Sequence, residues 1–129
     1  MTKRVLTMQD ISCLGQCSLT VALPIISACG IETVILPSAV LSTHTGGSFK
    51  NYTFHDLTDD IPGILKHWKQ EGFQFDCLYT GYLGNIRQIN LVEEIRKELL
   101  TDDAPCIIDP AMADFGKLYT GFEDRKSVV

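Results

Sequence analysis

Apolar positions in this chain fall into short dense runs separated by amphipathic stretches. Residues 5–9 (VLTMQ) read as a short buried strand. Gly15 breaks the chain. Residues 18–29 then predict a helix that is apolar on most faces and closed by Gly30. Pro24 inside that helix predicts a kink or a late start. Residues 32–36 (ETVIL) are rich in β-branched side chains and predict a second strand. Residues 37–53 then read as a long irregular stretch, a length that in a compact domain goes with function or mobility.

The next helix is marked by Leu57, Ile61, Ile64, Leu65 and Trp68, which share one face of a 3.6-residue period and place Trp68 in the core. Thr58 is its expected N-cap, Asp59 and Asp60 suit the positive end of the dipole, and Pro62 is tolerated in the first turn. Gly72 ends it. Residues 75–80 (FDCLYT) predict a third strand. Ile86, Ile89, Val92, Ile95 and Leu99 mark another amphipathic helix, and residues 106–108 a fourth strand behind Pro105. The order predicts an α/β fold: one domain around a parallel sheet with right-handed crossovers. In such sheets ligands bind beyond the carboxyl ends of the strands. That rule selects Asp10, Ser12 and Gly15 after the first strand and Thr43-His44-Thr45-Gly46-Gly47 after the second. It adds Gly81-Tyr82-Leu83-Gly84 after the third, and Asp109, Pro110 and Asp114 after the fourth.

Composition narrows the partners. The formal net charge is −5, and Lys and Arg do not cluster, so a nucleic-acid surface is excluded. No apolar run reaches the roughly 18 residues that span a bilayer, and the first residues lack a signal-peptide layout, so a cytoplasmic protein with no membrane partner is expected. The five cysteines (Cys13, Cys17, Cys29, Cys77 and Cys106) are odd in number, irregular in spacing and without a completing His pair. They read as small buried thiols in a reducing compartment.

No Gly-x-x-x-x-Gly-Lys-Ser/Thr and no Gly-x-Gly-x-x-Gly occurs, which excludes both familiar phosphate loops. Asp109 and Asp114 either hold Mg²⁺ through water beside a phosphate or serve as a turn cap and a solvated carboxylate. His44 is an acid–base candidate, but reads more readily as a residue that orders its loop by hydrogen bonding. Tyr82 can stack on an aromatic ligand or line a rim. His55 and His67 read as surface residues.

Four segments in order carry a resemblance. Residues 7–12 (TMQDIS) with Gly15 and residues 18–24 (SLTVALP) resemble the opening of bacterial pyridoxal and pyridoxamine kinases. Residues 41–46 (LSTHTG), 80–84 (TGYLG) and 108–114 (IDPAMAD) resemble later motifs of the same family, so the likeness runs from about Lys3 to Phe122. The resemblance implies a three-layer, ribokinase-like fold and ATP-dependent phosphorylation of the 5′-hydroxymethyl of pyridoxal, pyridoxine or pyridoxamine. It places Asp10, Thr45, Gly46 and Tyr82 at the substrate, and Asp109, Asp114 and Tyr119 near the ATP phosphates and their cations, Mg²⁺ and K⁺. Asp109 and Asp114 would be the metal-side carboxylates, acting through water. A homodimer is implied for the full-length protein. The family often has Ser at position 10, and Gly where Ala113 stands. Its catalytic base lies in a later Gly-x-Gly-Asp segment with no counterpart in these 129 residues, so the chain is expected to be an inactive amino-terminal part, with no catalytic base of its own. Residues 1–123 are assigned to the kinase domain. Residues 124–129 match the translation of a common sequencing-adapter string and are expected to be non-native. A hydroxymethylpyrimidine kinase of the same superfamily and a non-catalytic small-molecule-binding fragment are the alternatives.

Overall fold

The structure, a computed structural model, describes residues 2–46 and 49–119. The proposed boundary at residue 123 and the tail 124–129 lie outside the described residues. A five-stranded sheet has the order β3-β2-β1-β4-β5, built from β1 (Arg4–Ser12), β2 (Glu32–Leu41), β3 (Phe54–Asp56), β4 (Cys77–Thr80) and β5 (Cys106–Ile108). Strands β1, β2, β4 and β5 run parallel, as the alternation predicts, whereas β3 pairs antiparallel to β2. A separate hairpin joins β6 (Ala113–Asp114) to β7 (Lys117–Leu118).

Side-chain alternation along the strands makes three layers. Leu6 and Met8 of β1, Leu36 of β2 and Leu78 of β4 enter the main core. Ile61 and Leu65 of α2 (Ile61–Gln70) and Leu91, Val92 and Ile95 of α3 (Ile86–Glu98) complete it. The opposite face of β1 and β4, with Val5 and Tyr79, shares a hollow with Ile26 of α1 (Leu19–Ala28). Trp68 is half-buried rather than central, edge-on to Phe75 at 5.4 Å between ring centroids.

Several boundaries differ from expectation for identifiable reasons. β2 runs five residues past the predicted end, through Pro37 to Leu41. Its pairing with β1 shifts register between Gln9 and Ile11, a bulge at which a residue without an N–H is tolerated. The expected loop therefore starts only after Leu41, and the chain returns as β3 directly after its predicted end at residue 53. Thr58 is not an N-cap: Asp60 occupies that position, without a side-chain cap bond, and Thr58 is buried in a polar cluster described below. Helix α1 buries only Leu19 fully and leaves Ile25 well exposed, and Ile86 of α3 is exposed as well. The thiols are unpaired but not buried: Cys13, Cys29 and Cys106 are exposed and Cys17 and Cys77 half-buried. Among the described residues no helix is long and apolar enough to cross a membrane.

Candidate functional site

The carboxyl ends of β1 and β2 open into a cleft of roughly 320 Å³. Asp10 and Ser12 enter from the end of β1, Leu41 from the end of β2, and His44, Thr45 and Gly46 from the segment after it. Tyr82 comes from the loop after β4, and Ala111, Asp114 and Tyr119 from the segment after β5. Six of the seven residues singled out from sequence thus meet at one cleft. Asp109 is the exception. It follows β5 at the same edge, with its N–H donating to the Thr80 carbonyl, but its Oδ1 accepts from the Ala111 N–H at 3.0 Å in a local turn.

Asp10 is 7% exposed, and its Oδ2 accepts from the Ser12 hydroxyl at 3.2 Å. Ser12 Oγ in turn accepts from the Cys17 thiol at 3.4 Å. Residues 13–17 form a tight excursion that ends where Ser18 bridges back to Ile11. This excursion needs unusual backbone, since Gly15, Gln16 and Ser18 all have positive φ. A Cβ on Gly15 would run into the His44 ring, so glycine here allows two loops to touch. The His44 N–H donates to Leu14 O at 3.2 Å, and its Nδ1 accepts from the Gly46 N–H at 3.2 Å. His44 thus orders its loop, the second of its two sequence readings.

At the other rim, the Tyr119 hydroxyl donates to Asp114 Oδ2 at 2.7 Å, and its N–H donates to Met112 O. The Asp114 hydrogen bond, then burial, raises the phenol pKa above its usual value, so Tyr119 is a proton-bearing donor at neutral pH. Ala113 lies in β6 without a positive φ, so the family's glycine is not required by backbone geometry at this position. Among the described residues no group of three His, Cys, Asp or Glu side chains gathers as a metal cage.

Sequence reasoning missed Cys17, Ser18, Leu41 and Ala111 as lining residues. Cys17 and Ser18 follow from the return of the chain onto Ile11, and Leu41 from the extension of β2. Neither has a local sequence signature.

No protein-family model and no curated protein matches the chain. Solved structures do. A protein of Bacteroides thetaiotaomicron, provisionally assigned as a phosphomethylpyrimidine kinase and crystallised with pyridoxal, superposes with a TM-score of 0.89 at 42% identity. The match covers 95% of this chain and 42% of that one. Pyridoxal kinase from Lactobacillus plantarum gives a TM-score of 0.82 at 30% identity, over 94% and 42% of the two chains. Pyridoxal kinase from Leishmania donovani, in complex with ADP and pyridoxamine, shares the fold with a TM-score of 0.76 at 23% identity, over 90% and 43%. The chain therefore spans less than half the length of these relatives.

Proposed function

We propose, from the likeness to the Lactobacillus pyridoxal kinase and to the Bacteroides protein crystallised with pyridoxal, that the chain is part of a pyridoxal kinase and that the whole protein transfers a phosphoryl group from ATP to the 5′-hydroxymethyl of a B6 vitamer. The observation that carries this reading is the cleft itself, where Asp10, Thr45, Gly46 and Tyr82 meet Asp114 and Tyr119. In this reading Asp10, Thr45, Gly46 and Tyr82 hold the pyridine. A nearly buried carboxylate accepts hydrogen bonds and suits a protonated ring nitrogen. The aromatic face of Tyr82 suits the ring, and the Thr45 hydroxyl and Gly46 backbone suit its polar substituents.

Asp109, Asp114 and Tyr119 are assigned to the phosphate side. Two carboxylates supply the hard oxygen donors that Mg²⁺ takes, with waters and phosphate oxygens completing its shell. Two protein carboxylates fit such a site, whereas a cage made wholly of protein would need more. Bound there, Mg²⁺ supplies charge neutralisation at the phosphates. The turn at Asp109 fixes that side chain, and the Tyr119 hydrogen bond fixes Asp114. K⁺ and a homodimer are part of the same proposal and rest on the family resemblance; a cytoplasmic location is proposed with them.

Hydroxymethylpyrimidine is the second candidate acceptor, favoured by the provisional assignment of the Bacteroides relative. Pyridoxal in that relative's crystal weighs the other way. Steady-state assays of the full-length protein with pyridoxal, pyridoxine, pyridoxamine and hydroxymethylpyrimidine, each with ATP and Mg²⁺, decide between them. The expected result is a higher kcat/KM for a B6 vitamer. A preference for the pyrimidine would move the assignment to the second reading, and turnover of none would remove both.

Roles within the cleft are separable in the same protein. Thr45→Ala is expected to raise KM for pyridoxal more than KM for ATP. Asp109→Asn keeps an acceptor for the Ala111 N–H but removes the charge, and is expected to act mainly on ATP. Equal effects of each substitution on both ligands would refute the division.

A further inference from the structure

A buried polar cluster lies directly behind the loop that carries Tyr82. Gln88, in the first turn of α3, is fully buried. Its Nε2 donates to Ser38 O at 3.0 Å and to Thr58 Oγ1 at 2.9 Å, and its Oε1 accepts from the Gly84 N–H at 2.6 Å. Both donors of the amide and one of its two acceptor lone pairs are used. Ser38 Oγ donates to Tyr82 O at 3.2 Å. The loop of residues 81–84 is thereby held at both ends of its exposed part: Tyr82 through its carbonyl, Gly84 through its amide. At its base the Gly81 N–H donates to Met8 O, and a Cβ on Gly81 would collide with the Gln9 side chain.

Gln88 makes none of the contacts that line the cleft. Its three partners belong to β2, to the segment after β3 and to the Tyr82 loop, and it ties all three to the start of α3. A buried amide is costly to place, and a leucine or methionine would fill the same space without demanding three partners. What the amide adds over an apolar side chain is a partner for the Gly84 N–H and the Ser38 carbonyl, and with it the geometry of the loop bearing a cleft residue.

We propose that Gln88 is a positioning residue for the substrate side of the cleft, setting the height of Tyr82 through Gly84 and Ser38. The assignment rests on the functional reading above, because its kinetic consequence is expressed on the B6 vitamer. Removing the amide releases the Gly84 end of the Tyr82 loop, whereas the Asp114–Tyr119 pair makes no bond to Gln88.

Gln88→Met in the full-length protein is the direct test. The expected outcome is a rise in KM for pyridoxal of about five- to tenfold, the scale of one lost orienting hydrogen bond, with KM for ATP within about twofold. Ser38→Ala, which removes only the bond to the Tyr82 carbonyl, should move the same parameter less, and it carries the test if Gln88→Met does not fold. Hydrogen exchange of the 81–85 segment should accelerate in both variants relative to the strands. A lower melting temperature with unchanged KM for pyridoxal would make Gln88 a purely structural residue and overturn the proposal, as would equal rises in both KM values. If the unsubstituted protein turns over no pyridoxal, the functional reading falls on its own. Unchanged exchange in the 81–85 segment would then still overturn the clamp.

Discussion

At the scale of single residues, the cleft depends on one close approach. Gly15 has φ near +111° and packs where a Cβ would overlap the His44 ring. Gly15→Ala therefore meets two penalties, a backbone conformation that L side chains rarely adopt and a clash with a ring packed edge-on to Phe49 at 4.9 Å. The expected loss of stability is about 1–3 kcal/mol, measurable by denaturant unfolding of the full-length protein. Because the ring that must move orders the Thr45–Gly46 backbone, vitamer binding should weaken as well. A variant as stable as the parent, with unchanged binding, would mean that the two loops are not in contact in solution. Of the seven residues singled out from sequence, six meet at the cleft: Asp10, Thr45, Gly46, Tyr82 and Asp114 were legible because each follows a strand and strand ends converge, whereas Tyr119 came only with the family resemblance. The contact between Gly15 and His44 was not recoverable, since it depends on how two loops separated by 29 residues lie against each other.

Among the secondary-structure elements, helix α3 ties the site to the frame. Asn85 is its N-cap, accepting from the Gln88 N–H at 3.1 Å, while its Nδ2 donates to Thr58 Oγ1 and to Asp56 Oδ2. Asn85→Ala should cost about 1 kcal/mol for the cap, and more if the Asp56 contact is lost with it. Burial on its own would raise the Asp56 pKa. Hydrogen bonds from the Thr58 side chain and backbone and from Asn85, with the charge of Arg87, outweigh it and hold the value below that of a free aspartate. A folded-state pKa below the unfolded one stabilises the fold above the ordinary carboxylate value of about 4. That contribution disappears as the pH falls through the folded value. Asp56→Asn should therefore reduce stability near neutrality and flatten its decline toward acid, as read from melting temperatures between pH 3 and 7. A variant whose acid profile parallels the parent's would assign the acid sensitivity elsewhere.

This corner is also where sequence reading fell short. Thr58 has the sequence signature of an N-cap, a hydroxyl ahead of two acids and an apolar period. Tertiary demand from Asn85 and Gln88 claimed the hydroxyl instead. Strand β3 is three residues long with exposed side chains, so it offers no alternation to detect. The extension of β2 through Pro37 depends on a bulge that only its partner strand reveals. The periodic elements, α2, α3 and the parallel strands, were legible because burial on one face writes itself into the spacing of apolar residues.

Over the whole molecule, what stands out is the asymmetry of burial. The β3 edge is short and carries His55 and Asp56 beside one exposed apolar residue, Phe54, whereas β5 at the other edge leaves Ile107 56% and Ile108 51% exposed. On the same side as Ile107, between α1 and β4–β5, lies a hollow of roughly 810 Å³ lined by Val5, Ile26, Ile31 and Tyr79. Unpaired strand edges and contiguous apolar surface favour association, and the relatives contain more than twice this length of chain. The 129-residue chain on its own is therefore expected to self-associate at micromolar concentration, as sedimentation velocity would report. Ile107→Lys, which places a charge on the exposed edge, should shift it toward monomer without altering the cleft, whose lining does not include Ile107. The same chain is expected to form no pyridoxal phosphate above a no-enzyme control with ATP, Mg²⁺ and K⁺ supplied. Phosphoryl transfer needs a held nucleotide and charge stabilisation at the moving group as well as a positioned acceptor, and the loss of a single oxyanion donor already costs about 10²–10³ in rate. In the proposed reading the cleft offers acceptor-side groups and one phosphate-side carboxylate, Asp114, with Asp109 outside its lining, and neither familiar phosphate loop occurs in the sequence. A monodisperse 129-residue preparation that phosphorylated pyridoxal would overturn both expectations at once, because the complete machinery would then have to lie within these strand ends.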